Sequence, residues 1–140
     1  GIRGTWDSSE QRLPFDAVAV NAGESPTLTR WPDGKTSKER FVNLRAEMWW
    51  TLRARFERTW EHVNDLAVHP LEDLISIPNH PQLIAELSLP LYHRKDNGKV
   101  QVESKKAMRE RGIKSPDFAD ALCLAFCPVV RREAMAAMLS

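Results

Sequence analysis

Through the middle of the chain Phe41, Leu44, Met48, Leu52, Phe56 and Trp60 recur every three or four positions. This is the period of an α-helix with one apolar stripe, and it predicts a helix from about Ser37 to about Asn64. Arg45, Arg53 and Arg58 fall off the stripe, where they sit in solvent or face a partner, and the Trp49-Trp50 pair reads as core. Upstream, GTWDSSEQRL followed by FDAVAVNAG predicts a helix and then an alternating strand, Phe15 to Val20, ending at Gly23. Helix followed by buried strand is the grammar of an α/β sheet. Residues 24–37, rich in Pro, Gly, Ser and Thr, read as a surface loop.

Downstream the apolar runs shorten. LISIP predicts a short strand stopped by Pro78, and HPQLIAEL a short helix started by Pro81. In LYHRKDNGKVQVES, Asn97-Gly98 lies between two strand-like runs, a strong hairpin signal over about residues 91–103 with Arg94, Lys95 and Lys99 near its tip. Ser104 caps a helix running to Arg111, which Gly112 ends by taking the left-handed conformation. Ser115 caps a final apolar helix with Pro116 in its first turn.

Composition sets limits on this picture. A chain of 140 residues is one domain's worth, and 42% hydrophobic with 28% charged residues is a globular balance. No stretch reaches the length of a membrane span and the start lacks a signal-peptide pattern, so no membrane partner and a cytoplasmic location are expected. Cys123 and Cys127, four apart in one helical pattern, read as reduced core residues. The net charge of +1 hides segregation: residues 30–58 carry eight Lys/Arg against four acids, residues 93–114 eight against three, and residues 61–90 five acids with no Lys or Arg. Such blocks are either solvated faces or basic patches around a polyanion site.

The candidate chemistry lies in KSPDFADALCLAF, residues 114–126. Asp117 falls in the first turn of the predicted helix and Asp120 one turn later on the same side. Early acids serve the helix dipole, and the same oxygens suit Mg²⁺, which takes one or two carboxylates together with water and phosphate oxygens. The four histidines never show a paired helical spacing for zinc, and neither a phosphate loop nor a nucleophile elbow occurs. Glu103, beside Lys105 and Lys106, reads as a local ion pair.

Taken in order, RFVNLRAEMWWTLRARFE and ISIPNHPQLIAELSLPLYHRKDNGKVQVESKKAMRERGIKSPDFADALCLAF resemble the C-terminal nuclease domain of tailed-phage terminase large subunits over about residues 16–127. The NLRAEMWW helix and the ESK to SPDFADAL run are the most specific parts. The resemblance implies a ribonuclease H-like fold: a mixed sheet flanked by helices, with acids at one edge binding Mg²⁺ or Mn²⁺. It implies cutting of concatemeric double-stranded DNA in the bacterial host's cytoplasm, with the terminase small subunit and portal as partners. By position Asp117 matches the last acid of the metal cluster, Asp120 has a secondary role, and Arg53, Arg58, Arg94, Lys95, Lys99 and Lys105 are candidate DNA contacts. The first two acids of the family pattern belong upstream of Gly1, and neither Asp7 nor Asp16 matches them. The expectation is therefore a single partial nuclease domain over residues 1–140, without its first strands or the ATPase motor domain, and inactive by itself. Two other readings stand beside it: a DNA-binding or packaging-assembly module without chemistry, and another ribonuclease H-like nuclease such as a junction resolvase.

Overall fold

The computed structural model describes residues 21–127, with 129, 138 and 139. The predicted helix at 4–13 and the strand Phe15 to Val20 lie outside the described residues. The elements run α1 (Ser37–Arg40), α2 (Leu44–Val63), a single 3-10 turn (Leu71–Asp73), α3 (Pro81–Glu86), β1 (Tyr92–Arg94), β2 (Val100–Val102), α4 (Lys105–Glu110) and α5 (Asp117–Ala125).

The predicted helix from Ser37 to Asn64 is two helices. Thr36 and Glu39 close a capping box around α1, and Phe41 then turns extended, with φ −124° and ψ 147°. Asn43 restarts the helix by accepting the Ala46 amide at 3.0 Å. Periodicity alone misses the break because Phe41 stands one turn before Leu44 on the same stripe. The core decides it: Phe41 is fully buried and forms an isolated parallel bridge with Val100, while the Val42 amide donates to the Val100 carbonyl at 3.0 Å. Burying that ring contributes about 2 kcal/mol.

β1 and β2 form an antiparallel hairpin in the register Tyr92↔Val102, His93↔Gln101, Arg94↔Val100. The Val100 carbonyl points away from β1, which is why it is available to Val42 on the other edge. β2 thus has an antiparallel neighbour on one side and a parallel bridge on the other, the local form of a mixed sheet. The turn is wider than a two-residue Asn-Gly loop: Gly98 donates to the Lys95 carbonyl at 2.8 Å, Lys95 donates to Lys99 at 2.9 Å, and Gly98 alone takes the left-handed conformation, φ 84°.

Beneath the hairpin, Leu44, Met48, Trp49 and Leu52 of α2 pack with Ile75, Leu83, Val100, Val102, Ala119 and Cys123 in one cluster. Both cysteines are free and buried. Burial pushes the Cys123 thiol up, so it stays protonated and unreactive at neutral pH. The packed face covers only the first part of α2, and Trp60 near its end is 61% exposed, off the core the stripe predicted. LISIP is extended but unpaired among the described residues; its Ile75 amide donates to Thr59 Oγ1 at 2.8 Å instead of to a strand. α4 ends as expected, with Gly112 at φ 82° and the Ile113 amide reaching back to the Met108 carbonyl at 2.9 Å.

Candidate metal and nucleic-acid site

The start of α5 is fixed from another helix. Ser115 does not cap it: its hydroxyl donates to Asp117 Oδ1 at 2.7 Å, and Pro116 stands at the cap position with no side-chain hydrogen bond. The free amides of Phe118 and Ala119 instead donate to Glu86 Oε1 of α3, at 2.9 and 3.2 Å. Glu86 is 6% exposed, so its charge is compensated by the two amides and the positive end of the helix. His80 caps α3 through the Leu83 amide and packs its ring 4.6 Å from Phe118, tying the two helix starts together.

Asp120, one turn into α5, is held by two cations. Arg45 Nη1 lies 3.6 Å from Oδ1 and Lys105 Nζ lies 3.0 Å from Oδ2. The lysine contact lacks hydrogen-bond geometry, so the buried Oδ2 has a compensating charge but no directed donor. Arg45 was expected in solvent or at a partner, yet it is 6% exposed, with Nε donating to the Glu103 carbonyl at 2.8 Å. A guanidinium keeps its charge at any protein pH, so burying it requires acceptors on several sides. Here α5 and the corner between β2 and α4 supply them.

Glu103 completes that corner. It pairs with Arg111 through both carboxylate oxygens, at 2.7 and 2.8 Å, and not with its sequence neighbours Lys105 and Lys106. The Arg111 hydrogen bonds hold the Glu103 carboxyl below the usual range and raise Arg111. Arg111 also donates to the Leu89 carbonyl at 2.7 Å, closing the segment before β1 onto α4.

Asp117 and Asp120 are therefore brought together on one side of α5, their Cβ atoms roughly 5–6 Å apart by helix geometry. Asp117 is exposed and, among the described residues, its side chain is engaged only by Ser115. Both carboxylates are hard-oxygen donors of the type a divalent cation takes, Asp117 exposed and Asp120 already facing the charges of Arg45 and Lys105. Among the described residues no group of three or more His, Cys, Asp or Glu is placed to hold a metal ion. Lys105 adjoins the pair through Asp120, while Arg94, Lys95 and Lys99 sit near the hairpin tip, level with positions three to four residues and roughly 10–13 Å along the strand from Glu103. Arg53 and Arg58 are elsewhere. At about 100° per residue they lie roughly 80° and 140° around α2 from Arg45, to either side of it, and both line a groove that Arg45 does not enter. Glu86 and Arg45 were missed as site residues. An Asn-capped helix whose second residue is Arg carried no signal of burial, and Glu86 acts across 32 residues.

The same architecture occurs in solved structures. The nuclease domain of the large terminase subunit of bacterial virus Sf6 matches with a TM-score of 0.69 and 28% identity, over 78% of this chain and 52% of that one. The fold is that of a phage terminase nuclease domain. Two lysine-to-alanine variants of the same Sf6 domain, one with manganese and one with calcium, match at 29% identity and TM-score 0.69, covering 78% of this chain. The chain thus spans about half the length of the terminase nuclease structures it matches. No family model and no curated protein matches it. The terminase nuclease likeness accounts for the mixed pairing around β2 and for the ribonuclease H-like arrangement of helices about it. Among the described residues no helix is long and apolar enough to cross a membrane.

Proposed function

We propose that this chain is the C-terminal part of a metal-dependent endonuclease domain that cuts concatemeric double-stranded DNA during viral genome packaging. The observation that carries this reading is the exposed Asp117 carboxylate at the start of α5, in a fold shared with terminase nuclease domains solved with manganese and calcium. Asp117 is the metal ligand and catalytic residue, and Asp120 has a secondary role, orienting the site through Arg45 and Lys105. A divalent cation in such a site supplies water activation and stabilisation of the leaving oxygen in phosphodiester hydrolysis. Lys105 and the hairpin residues Arg94, Lys95 and Lys99 meet the DNA backbone. Two carboxylates hold Mg²⁺ weakly, so the chain is inactive by itself and the remaining acids come from the half of the domain it does not span. On this reading it works in the bacterial host cytoplasm with the small subunit and portal.

The test is plasmid nicking with Mn²⁺ by a longer protein that includes the whole domain. Outer partners of metal ligands typically matter 10- to 100-fold, so Asp120→Asn is expected to reduce nicking by about that much and Asp117→Asn by more than roughly 100-fold. Full activity in Asp117→Asn removes the role given to it. Salt-sensitive DNA binding by a whole domain that never nicks selects the non-catalytic module instead.

A further inference from the structure

α2 carries a second surface that the nuclease reading does not use. Trp50, Arg53, Ala54, Glu57, Arg58 and Glu61 are spaced three or four apart, so they form one face of the helix, centred roughly 150° around the axis from Arg45. That face borders a groove of about 370 Å³ whose opposite wall is Trp31, Pro32 and Arg40. The aromatic walls are rigid and already carry cations: Arg40 lies 4.6 Å from the Trp31 ring, and Arg53 lies 4.5 Å from Trp50 and 5.5 Å from Tyr92.

Three carboxylates line the groove, and each has a partner other than Arg58. Asp33 meets Arg40 at 3.6 Å, Glu57 meets Arg53 at 3.1 Å, and Glu61 meets His69 at 3.2 Å. Arg58, half-buried in the same groove, has no ion-pair or hydrogen-bond partner among the described residues. A half-desolvated guanidinium in a groove that also holds Trp31 and Trp50 is a setting in which an added carboxylate gains more than in open water. The segment leading to His69 carries exposed apolar side chains, Val68 at 91% and Leu66 at 63%.

We infer that this groove docks an acidic, partly apolar segment of a partner protein, placing one carboxylate on Arg58 and apolar side chains against Trp31, Trp50 and the Leu66 to Val68 edge. The pattern of charge favours a protein over DNA. A phosphate backbone brings several negative charges into a groove that holds three carboxylates and one unpaired cation, whereas a peptide brings a single carboxylate amid apolar groups. Trp and Arg around a concave centre are also the residue types that dominate protein interfaces.

The experiment is a selection of random peptides displayed on phage against the full chain, with binding of the enriched synthetic peptides measured by fluorescence anisotropy. Enriched peptides are expected to combine Asp or Glu with apolar residues, to lose about tenfold in affinity to Arg58→Gln, and to recover part of it with Arg58→Lys. Circular dichroism of each variant, expected to match the parent, separates loss of the contact from loss of the fold. Failure to enrich such peptides, or equal binding to Arg58→Gln, overturns the inference. So does a short DNA duplex that displaces the peptides and itself binds more weakly to Arg58→Gln, because the groove is then a nucleic-acid contact.

Discussion

Helix α4 begins on Ser104, whose hydroxyl accepts the Ala107 amide three residues on at 3.1 Å, whereas α5 begins on Glu86, which reaches its first amides from the end of α3. Both devices satisfy amides that a helix start leaves without partners. They differ in what they join. The serine cap is local and exposed, and secures one turn of one helix. The glutamate cap is buried and locks two helices at a fixed angle, with the candidate metal carboxylates in the turn it holds. Arg45 adds a second grip on that turn through Asp120. The start of α5, with its carboxylates, is thus positioned by tertiary contacts, and the start of α4 beside it by a local one.

The largest effect is expected from Arg45→Met. Removing one member of a buried pair typically costs 3–5 kcal/mol, and because Lys105 still faces Asp120 the loss is put at about 3 kcal/mol. Urea unfolding with an unchanged slope measures it, and a loss below about 1 kcal/mol means that Arg45 does not hold α5. Next comes Glu86→Ala, which leaves two amides without an acceptor and costs about 2 kcal/mol. Ser104→Ala is expected to cost about 1 kcal/mol. If the order of these two is reversed, the contrast between the two helix starts is wrong.

The smallest effect concerns acid. The folded Glu103 carboxyl sits below its ordinary value because Arg111 donates to it. The pair therefore contributes its full stability above the unfolded carboxylate value and loses it as pH falls through the lowered folded value. Glu103→Gln is expected to flatten the dependence of stability on pH in that acid window and to leave the neutral-to-basic side of the curve unchanged in shape. Denaturant midpoints measured across the window check this; an identical slope in the variant places the acid sensitivity on another carboxyl.

Particular elements show what was legible in the sequence. Pro81 starting α3, Ser104 capping α4, Gly112 ending it and Asn97-Gly98 turning the hairpin are all signals carried within a few residues, and each element stands where they place it. The break at Phe41 was hidden because an extended residue can occupy the same apolar stripe as a helical one. LISIP had a strand's composition, but a strand needs a ladder partner, and Ile75 bonds to the Thr59 hydroxyl of α2. Arg53 and Arg58 were grouped with the other basic residues by charge, and helix geometry separates them from Arg45 and Asp120.

By itself the sequence determined much of the local grammar of this protein: where α3 starts, where α4 is capped and ends, where the hairpin turns, and that two acids open α5 on one side. Those outcomes rest on interactions spanning three or four residues, whose geometry the chain fixes without help. Only the tertiary structure decided which acid is exposed and which is clamped, because Arg45, Glu86 and Lys105 reach α5 from three other helices. Burial then turned an unremarkable arginine and glutamate into the residues that hold the site, since charge removed from water must find its partners wherever the fold supplies them.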